Sequence, residues 1–357
     1  MPYNDGMSYL EIILPFGIPP TSLAKELMKQ MRTPSLAALL GHAKTVALHE
    51  FEELSRQLPH EYWITRDFDD ANQSGLASDK RSTSPALTHF FMQQAGVLPE
   101  EGYWFTLSPV HIHVARDHLV MTDPQRLAIS EDESRALFDA AESLCTELGH
   151  SLIFGDKQTW FLRADPWRNL STASLQAACG HNMDIWIAKG ECEVAWRKLQ
   201  NEIQMQWHIH PVNQSRADQG LDTINSVWLH SGSEKLQAPE HVFGITKLHD
   251  ILASPTPSGA KAVVLDNLNA AYLNNDWGSW LAAMNELEQT CFLPVLQALQ
   301  NKKMSALNLV VSDTHRLAIF ECKAPQSWKF WRKASLQPLA ILAGNDSVVT
   351  STASLAT

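Results

Sequence analysis

The chain reads as an α/β protein in which a sheet domain is interrupted by a separate α+β module. Three observations predict this. Tyr9 to Leu14 (YLEIIL) is an apolar run stopped by Pro15 and Gly17, a buried strand that two helices follow, as an α/β domain opens. Residues 103–165 instead alternate strand, strand, helix, strand, strand. After Gly244 the opening texture returns, with short apolar strands and a long helix. The expected division is a sheet domain from 1–100 and 240–345, an inserted module at 101–239, and a disordered low-complexity tail at 346–357.

The elements follow in order. After the first strand, Thr21 or Ser22 can cap a helix running to Met31, and Pro34 opens a second through LAALLGHA. Glu50 to Leu58 is expected to be helical, Asp67 to Ser84 an exposed polar loop, and Pro85 to Gly96 a helix. Tyr103 to Val114 is aromatic and β-branched, and His118 to Met121 reads as its hairpin partner. Ser130-x-x-Glu133 is a capping box that opens a helix to Leu148. Ser151 to Phe154 and Gln158 to Leu162 form a second hairpin. Leu199 to Gly232 reads as helix, loop and strand. Ala262 to Leu265, Leu307 to Val311 and Leu317 to Cys322 are strands, and Trp277 to Leu299 is one long helix.

Composition narrows the function classes. A net charge of −11 argues against a nucleic-acid groove, which needs a basic surface to displace counterions. No apolar run approaches the roughly 20 residues that span a bilayer, and the N-terminus lacks a secretory pattern. Neither nucleic acid nor membrane is expected as a partner. Five scattered cysteines without a C-x-x-C predict reduced thiols in the cytoplasm. Twelve tryptophans predict buried indoles.

Leu199 to Gly232 (LQNEIQMQWHIHPVNQSRADQGLDTINSVWLHSG) concentrates amides, histidines and one arginine. Arg216 beside His210 and Asn213 could recognise a phosphate or carboxylate, since guanidinium matches such anions bidentately. The same residues could equally stitch a buried loop, so both readings stand. His111-x-His113 and His208-x-His210 supply four imidazoles that could hold zinc. Structural roles are favoured, because i and i+2 diverge at a helix end and no cysteine lies beside either pair. Met205, Trp207 and Ile209 read as core. Asp313 and His315 sit at a strand's carboxyl end, where open α/β sheets build sites. The basic aromatic run Lys323 to Lys333 could pack on the body or, through Trp328 to Trp331, dock a protein partner.

Asn201, Glu202, His210, Pro211, Val212, Asn213, Arg216, Gly220 and Asn225 resemble a segment of the archaeal-type cofactor-independent phosphoglycerate mutases, of the alkaline-phosphatase superfamily. Thr33 to Leu36, Ser130 to Ala136 and Val310 to His315 extend the likeness to both sides. Over nearly the whole chain, Leu14–Pro15–Phe16, Pro109–Val110–His111, Asn201 to Met205, His210 to Asn213 and Trp328 to Arg332 resemble the RpfE-type regulatory proteins of proteobacteria. The resemblance implies an alkaline-phosphatase-like sheet and a ligand site at His210, Asn213, Arg216, Asn225 and His111.

The mutase chemistry that this resemblance implies uses two divalent metals and a serine nucleophile, so its ligands are indispensable. Where that family carries Asp-Gly after the first strand, this chain has Pro15–Phe16–Gly17. For its Gly-Ser-Asp loop, the nearest candidate is Ala77–Ser78–Asp79. Its Asp-x-x-x-His is met only by Asp266, without the histidine, and its last pair by Asp313 and a displaced His315. The expectation is a dismantled metal site without catalytic residues or cofactor, in a cytoplasmic bacterial protein with a regulatory or small-anion-binding role. The alternatives are an active phosphotransferase with a rebuilt manganese or zinc site, and a structural partner protein without ligand.

Overall fold

The computed structural model describes residues 9–71, 83–98, 101–234, 241–253, 262–323 and 333–344. Along the chain come β1 (Tyr9–Leu14) and β2 (Lys44–Glu50), then β3 (Trp104–Val110), β4 (Ile112–Ala115), β5 (His118–Met121), β6 (Ser151–Asp156), β7 (Thr159–Arg163) and β8 (Ser226–Ser233). β9 (His241–Phe243), β10 (Ala262–Val264), β11 (Ala306–Ser312) and β12 (Arg316–Cys322) complete the set. The chain forms two units, Met1–Phe51 with Glu240–Thr357, and Glu52–Pro239.

The first unit is built on a six-stranded sheet of order β2-β12-β11-β1-β10-β9. β1 runs parallel to β10 and β11, and β12 and β2 turn the far edge antiparallel. Leu10, Ile12, Ile13 and Leu14 are buried, as a central parallel strand covered on both faces requires. β2 ends the sheet with a bulge at its pairing to β12 and Lys44 at its start, devices that discourage further strand addition.

Two expectations fail here. Glu50 to Leu58 is not a helix: the preceding residues pair with β12, Phe51 N–H bonds the His315 carbonyl, and turns lead to the next helix at Pro59. A cross-strand partner more than 260 residues away decides this, and local periodicity cannot register it. The first helix is Ala24–Gln30, with Leu23 as its N-cap, so neither Thr21 nor Ser22 caps it.

The long helix after Trp277 is continuous but irregular. Trp277–Leu287 is α-helical, Glu288–Phe292 is π-helical, and Leu293–Gln300 resumes the α form. Pro294 is the physical cause, because it has no N–H and its ring crowds the carbonyl four residues earlier. That carbonyl, of Thr290, meets His249 Nε2 at 2.6 Å instead. The widened turn directs the buried carboxylate of Glu288 to the backbone N–H of Ser35, at 2.8 Å, at the start of the Pro34–His42 helix.

The second unit holds an antiparallel sheet of order β6-β7-β3-β8 and the small hairpin β4-β5. Its main core fills one sheet face: Phe105, Leu107, Trp160 and Leu162 pack against Leu137 and Phe138 of the Glu131–Glu147 helix and Leu199, Ile203 and Trp207 of the Glu193–His208 helix. The capping box at Ser130 and Glu133 is present in both directions. Trp104, Trp160, Trp207 and Trp280 are among the largest fully buried side chains.

The described residues 52–71 and 83–98, expected within the sheet domain, group instead with this second unit. Polar ties hold them there. Ser84 and Thr172 bond through both backbone and hydroxyls at 2.6 Å, Ser174 N–H donates to the Arg56 carbonyl at 2.8 Å, and Thr88 and Thr106 hydroxyls meet at 2.9 Å. The expected loop from Asp67 is helical as far as Ala71, within Pro59–Ala71. The helix expected from Pro85 is the shorter Thr88–Gln94. Ala77–Ser78–Asp79, Trp328 to Trp331 and the tail from 346 lie outside the described residues.

Candidate functional site

The parallel strands β1, β10 and β11 end side by side, and the segments after them are tied together. Leu265 N–H bonds the Ile13 carbonyl at 2.9 Å, and Ile18 N–H the Ser312 carbonyl at 3.1 Å. This is the end of the sheet at which α/β proteins place their sites. The residue after Pro15 is Phe16, fully buried and held at φ 56°, a left-handed conformation uncommon for a side chain of this size. Its ring stacks on Tyr272 at 4.6 Å between centroids, and Tyr272 meets Trp277 edge-on at 5.2 Å. Trp280 Nε1–H donates to the Phe16 carbonyl at 3.0 Å. The space is therefore occupied by a ring stack and one indole hydrogen bond.

Asp313 is buried but fully engaged. Its Oδ1 accepts from the backbone N–H of His315 at 2.8 Å and of Arg316 at 2.6 Å. Its Oδ2 accepts from Arg316 Nε at 2.9 Å and Nη2 at 2.7 Å. Arg316 Nη1 goes on to the Leu342 carbonyl. His315 is exposed at the turn, and Asp266 is exposed after β10. Burial pushes the Tyr272 phenol above its ordinary range, with Asp313 adding in the same direction. A divalent cation needs several converging oxygen or nitrogen ligands, and this set does not supply them. Phe16 offers none, and Asp313 would have to leave four hydrogen bonds. Among the described residues no group of three or more His, Cys, Asp or Glu is placed to hold a metal.

In the second unit, Leu199 to Gly232 folds as helix, helix and strand: Glu193–His208, Pro211–Asp218 and β8. Pro211 opens a helix where a loop was expected, because a proline at the first helical position loses no hydrogen bond. His210 is the N-cap, its Nδ1 accepting from Val212 N–H at 3.3 Å. Asn213 donates to the carbonyls of Trp207 at 2.9 Å and Ile224 at 2.8 Å, and its Oδ1 accepts from Ile224 N–H at 2.7 Å. Asn225 bonds both backbone groups of Ile112 at 2.8 Å. His111 Nδ1 bonds the Thr223 carbonyl at 2.6 Å.

Arg216 is 1% exposed and all three of its nitrogens donate within the unit. Nε reaches the Asp222 carbonyl at 2.7 Å, Nη2 the Leu127 carbonyl at 2.6 Å, and Nη1 both carboxylate oxygens of Glu133 at 3.1 Å. Burial alone would raise the Glu133 pKa; the Ser130 N–H and Arg216 together hold it below the ordinary carboxylate value. The five expected ligand residues are thus neighbours, and each has hydrogen bonds to the surrounding backbone, with Arg216 also paired to the Glu133 carboxylate. His111 and His113 stack at 5.8 Å between centroids, while His208 and His210 fall on different sides of a helix break.

Sequence reasoning missed the aromatic stack and both arginine partners. Arg316 lies three residues from Asp313 and could have been read as a turn lock. Glu133 shows only its local capping role.

No family model matches the chain. It is 25% identical over 222 residues to a probable 2,3-bisphosphoglycerate-independent phosphoglycerate mutase of Geobacter sulfurreducens. That match covers 60% of this chain and 54% of the other, so the chain spans about half the length of this curated relative. Among solved structures, the PH0037 protein of Pyrococcus horikoshii superposes with a TM-score of 0.54 at 10% identity, covering 94% of this chain and 92% of that one. The cofactor-independent phosphoglycerate mutase of Thermoplasma acidophilum gives a TM-score of 0.42 at 12% identity, covering 94% of each chain. The fold is the expected mixed α/β one, shared with the PH0037 protein over nearly the whole chain. The chain is distantly similar to the cofactor-independent phosphoglycerate mutases.

Proposed function

We propose that the chain is a non-catalytic relative of the phosphoglycerate mutases with a regulatory role. One observation carries the reading: Phe16, stacked on Tyr272, fills the position after β1 at which the resemblance calls for a metal-binding aspartate. Asp313, committed to Arg316, supports it. The regulatory part rests on the likeness to RpfE-type proteins through Leu14–Pro15–Phe16, Pro109–Val110–His111 and Asn201 to Met205. A small phosphorylated or carboxylate ligand at Arg216 would have to compete with the Glu133 carboxylate for Nη1.

The test is a phosphoglycerate mutase assay on the purified chain with added manganese, together with metal analysis of the protein as isolated. The expectation is no turnover and no stoichiometric metal. Turnover above a heat-inactivated control, or one equivalent of bound manganese or zinc, overturns the proposal.

A further inference from the structure

The Glu193–His208 helix presents Gln200 and Gln204, one turn apart, to a cavity of about 290 Å³ in the second unit. Trp196, Trp228, Met183 and Asp184 also line it. Both amide nitrogens are already used. Gln204 Nε2 donates to Ser226 Oγ at 2.8 Å, and Gln200 Nε2 to the same hydroxyl at 3.3 Å and to the Val227 carbonyl at 2.8 Å. A carbonyl can only accept, so the Gln200 amide must turn its nitrogen to Val227 and its oxygen the other way. No described residue donates to either Oε1, or to the Asp184 carboxylate. Trp228 spends its indole N–H on the Ala173 carbonyl at 2.9 Å, leaving its ring as wall. Arg197 also lines the cavity, and its guanidinium is paired with the Glu193 carboxylate at 3.5 Å.

The cavity therefore offers two amide oxygens, the Asp184 carboxylate and indole walls, with Arg197, the one lining cation among the described residues, already paired to Glu193. We propose that it binds a small primary ammonium carried on an aromatic or alkyl body, independently of the function proposed above. An ammonium has three donors and no acceptor, which complements the two amide oxygens and Asp184. Indole rings favour a cation over their faces, and a net charge of −11 draws cations to the chain. The volume suits a single-ring amine, at the small end of ligand cavities.

The experiment is calorimetric titration of the full chain with phenethylammonium, phenylacetate serving as the same body with the opposite charge. Phenethylammonium is expected to bind saturably and phenylacetate not at all. Gln204→Glu should tighten binding several-fold, and Gln204→Lys should abolish it. Gln214→Glu, an exposed amide on the next helix, should leave the affinity unchanged. Absence of saturable heat, equal response to phenylacetate, or equal tightening by Gln214→Glu overturns the proposal. If circular dichroism shows that Gln204→Lys is unfolded, the Gln204→Glu affinity decides, and no tightening there overturns it.

Discussion

Phe16 and Arg216 each do a structural task that can be measured. Phe16→Ala removes a fully buried ring from the stack with Tyr272, and truncations of this kind cost about 3–5 kcal/mol. A urea denaturation series should show that loss in the midpoint. Arg216→Ala leaves the Glu133 carboxylate and two carbonyls without their donor. The expected cost is about 3 kcal/mol, the low end for a broken buried pair, because Glu133 keeps 25% of its side chain exposed. A loss within a few tenths of a kcal/mol of zero would show that Arg216 is not the tie described. At this scale the sequence was half legible. Residue types at 210–216 pointed to a polar cluster, but Glu133 lies 83 positions from Arg216, and nothing local pairs them.

Elements whose cause is local were readable, and those fixed by distant partners were not. The Ser130–Glu133 box needs only residues three apart, and it stands as expected. Ser130→Ala should cost about 1 kcal/mol, read as a lowered urea midpoint without a change of slope. β1, the hairpin β6-β7 and the closing pair β11-β12 were legible from apolar runs and turn residues, whereas Tyr103 to Val114, expected as one strand beside His118 to Met121, divides into β3, which pairs with β7 and β8, and β4, which alone pairs with β5. β2 was not, because KTVALHE alternates too weakly, and its β form comes from β12. The interruption at Glu288–Phe292 was not expected in the helix read from Trp277 to Leu299, although its cause, Pro294, is local; the compensating contact from His249 required the fold.

For the molecule as a whole, the buried ionisable groups of the second unit set a pH dependence. Burial pushes His230 from 6.5 down to about 3 and His60 to about 4, the latter against its bond to Gln176. Below pH 6.5 the unfolded chain takes up protons that these two rings refuse, so stability falls as pH drops from about 6.5 towards 3. Glu61 acts in the opposite sense. Burial raises it from 4.5 to about 7 despite bonds from Leu58 and Ser174, so the native state keeps a proton that the unfolded chain releases. Its contribution is full below pH 4.5 and is lost as pH rises to about 7. His230→Gln should make the acid limb shallower, and Glu61→Gln should flatten the loss between pH 4.5 and 7. Urea midpoints between about pH 3 and 7 check both; an unchanged profile in either variant removes that residue from the account.

β2 and β9 stand at opposite edges of the six-stranded sheet, five strand steps apart. At about 4.8 Å per step, the chain leaves and re-enters roughly 24 Å apart measured across the strands alone. β2 runs in the same direction as β9, so departure is at the carboxyl end and return at the amino end, which lengthens the path. A residue covers at most about 3.6 Å. The sheet therefore cannot be closed by joining Glu50 to His241 through a tight turn. A splice of roughly ten residues or more is the shortest that reaches, so any shortened version of this chain that keeps the six-stranded sheet needs a linker of at least that length between Glu50 and His241.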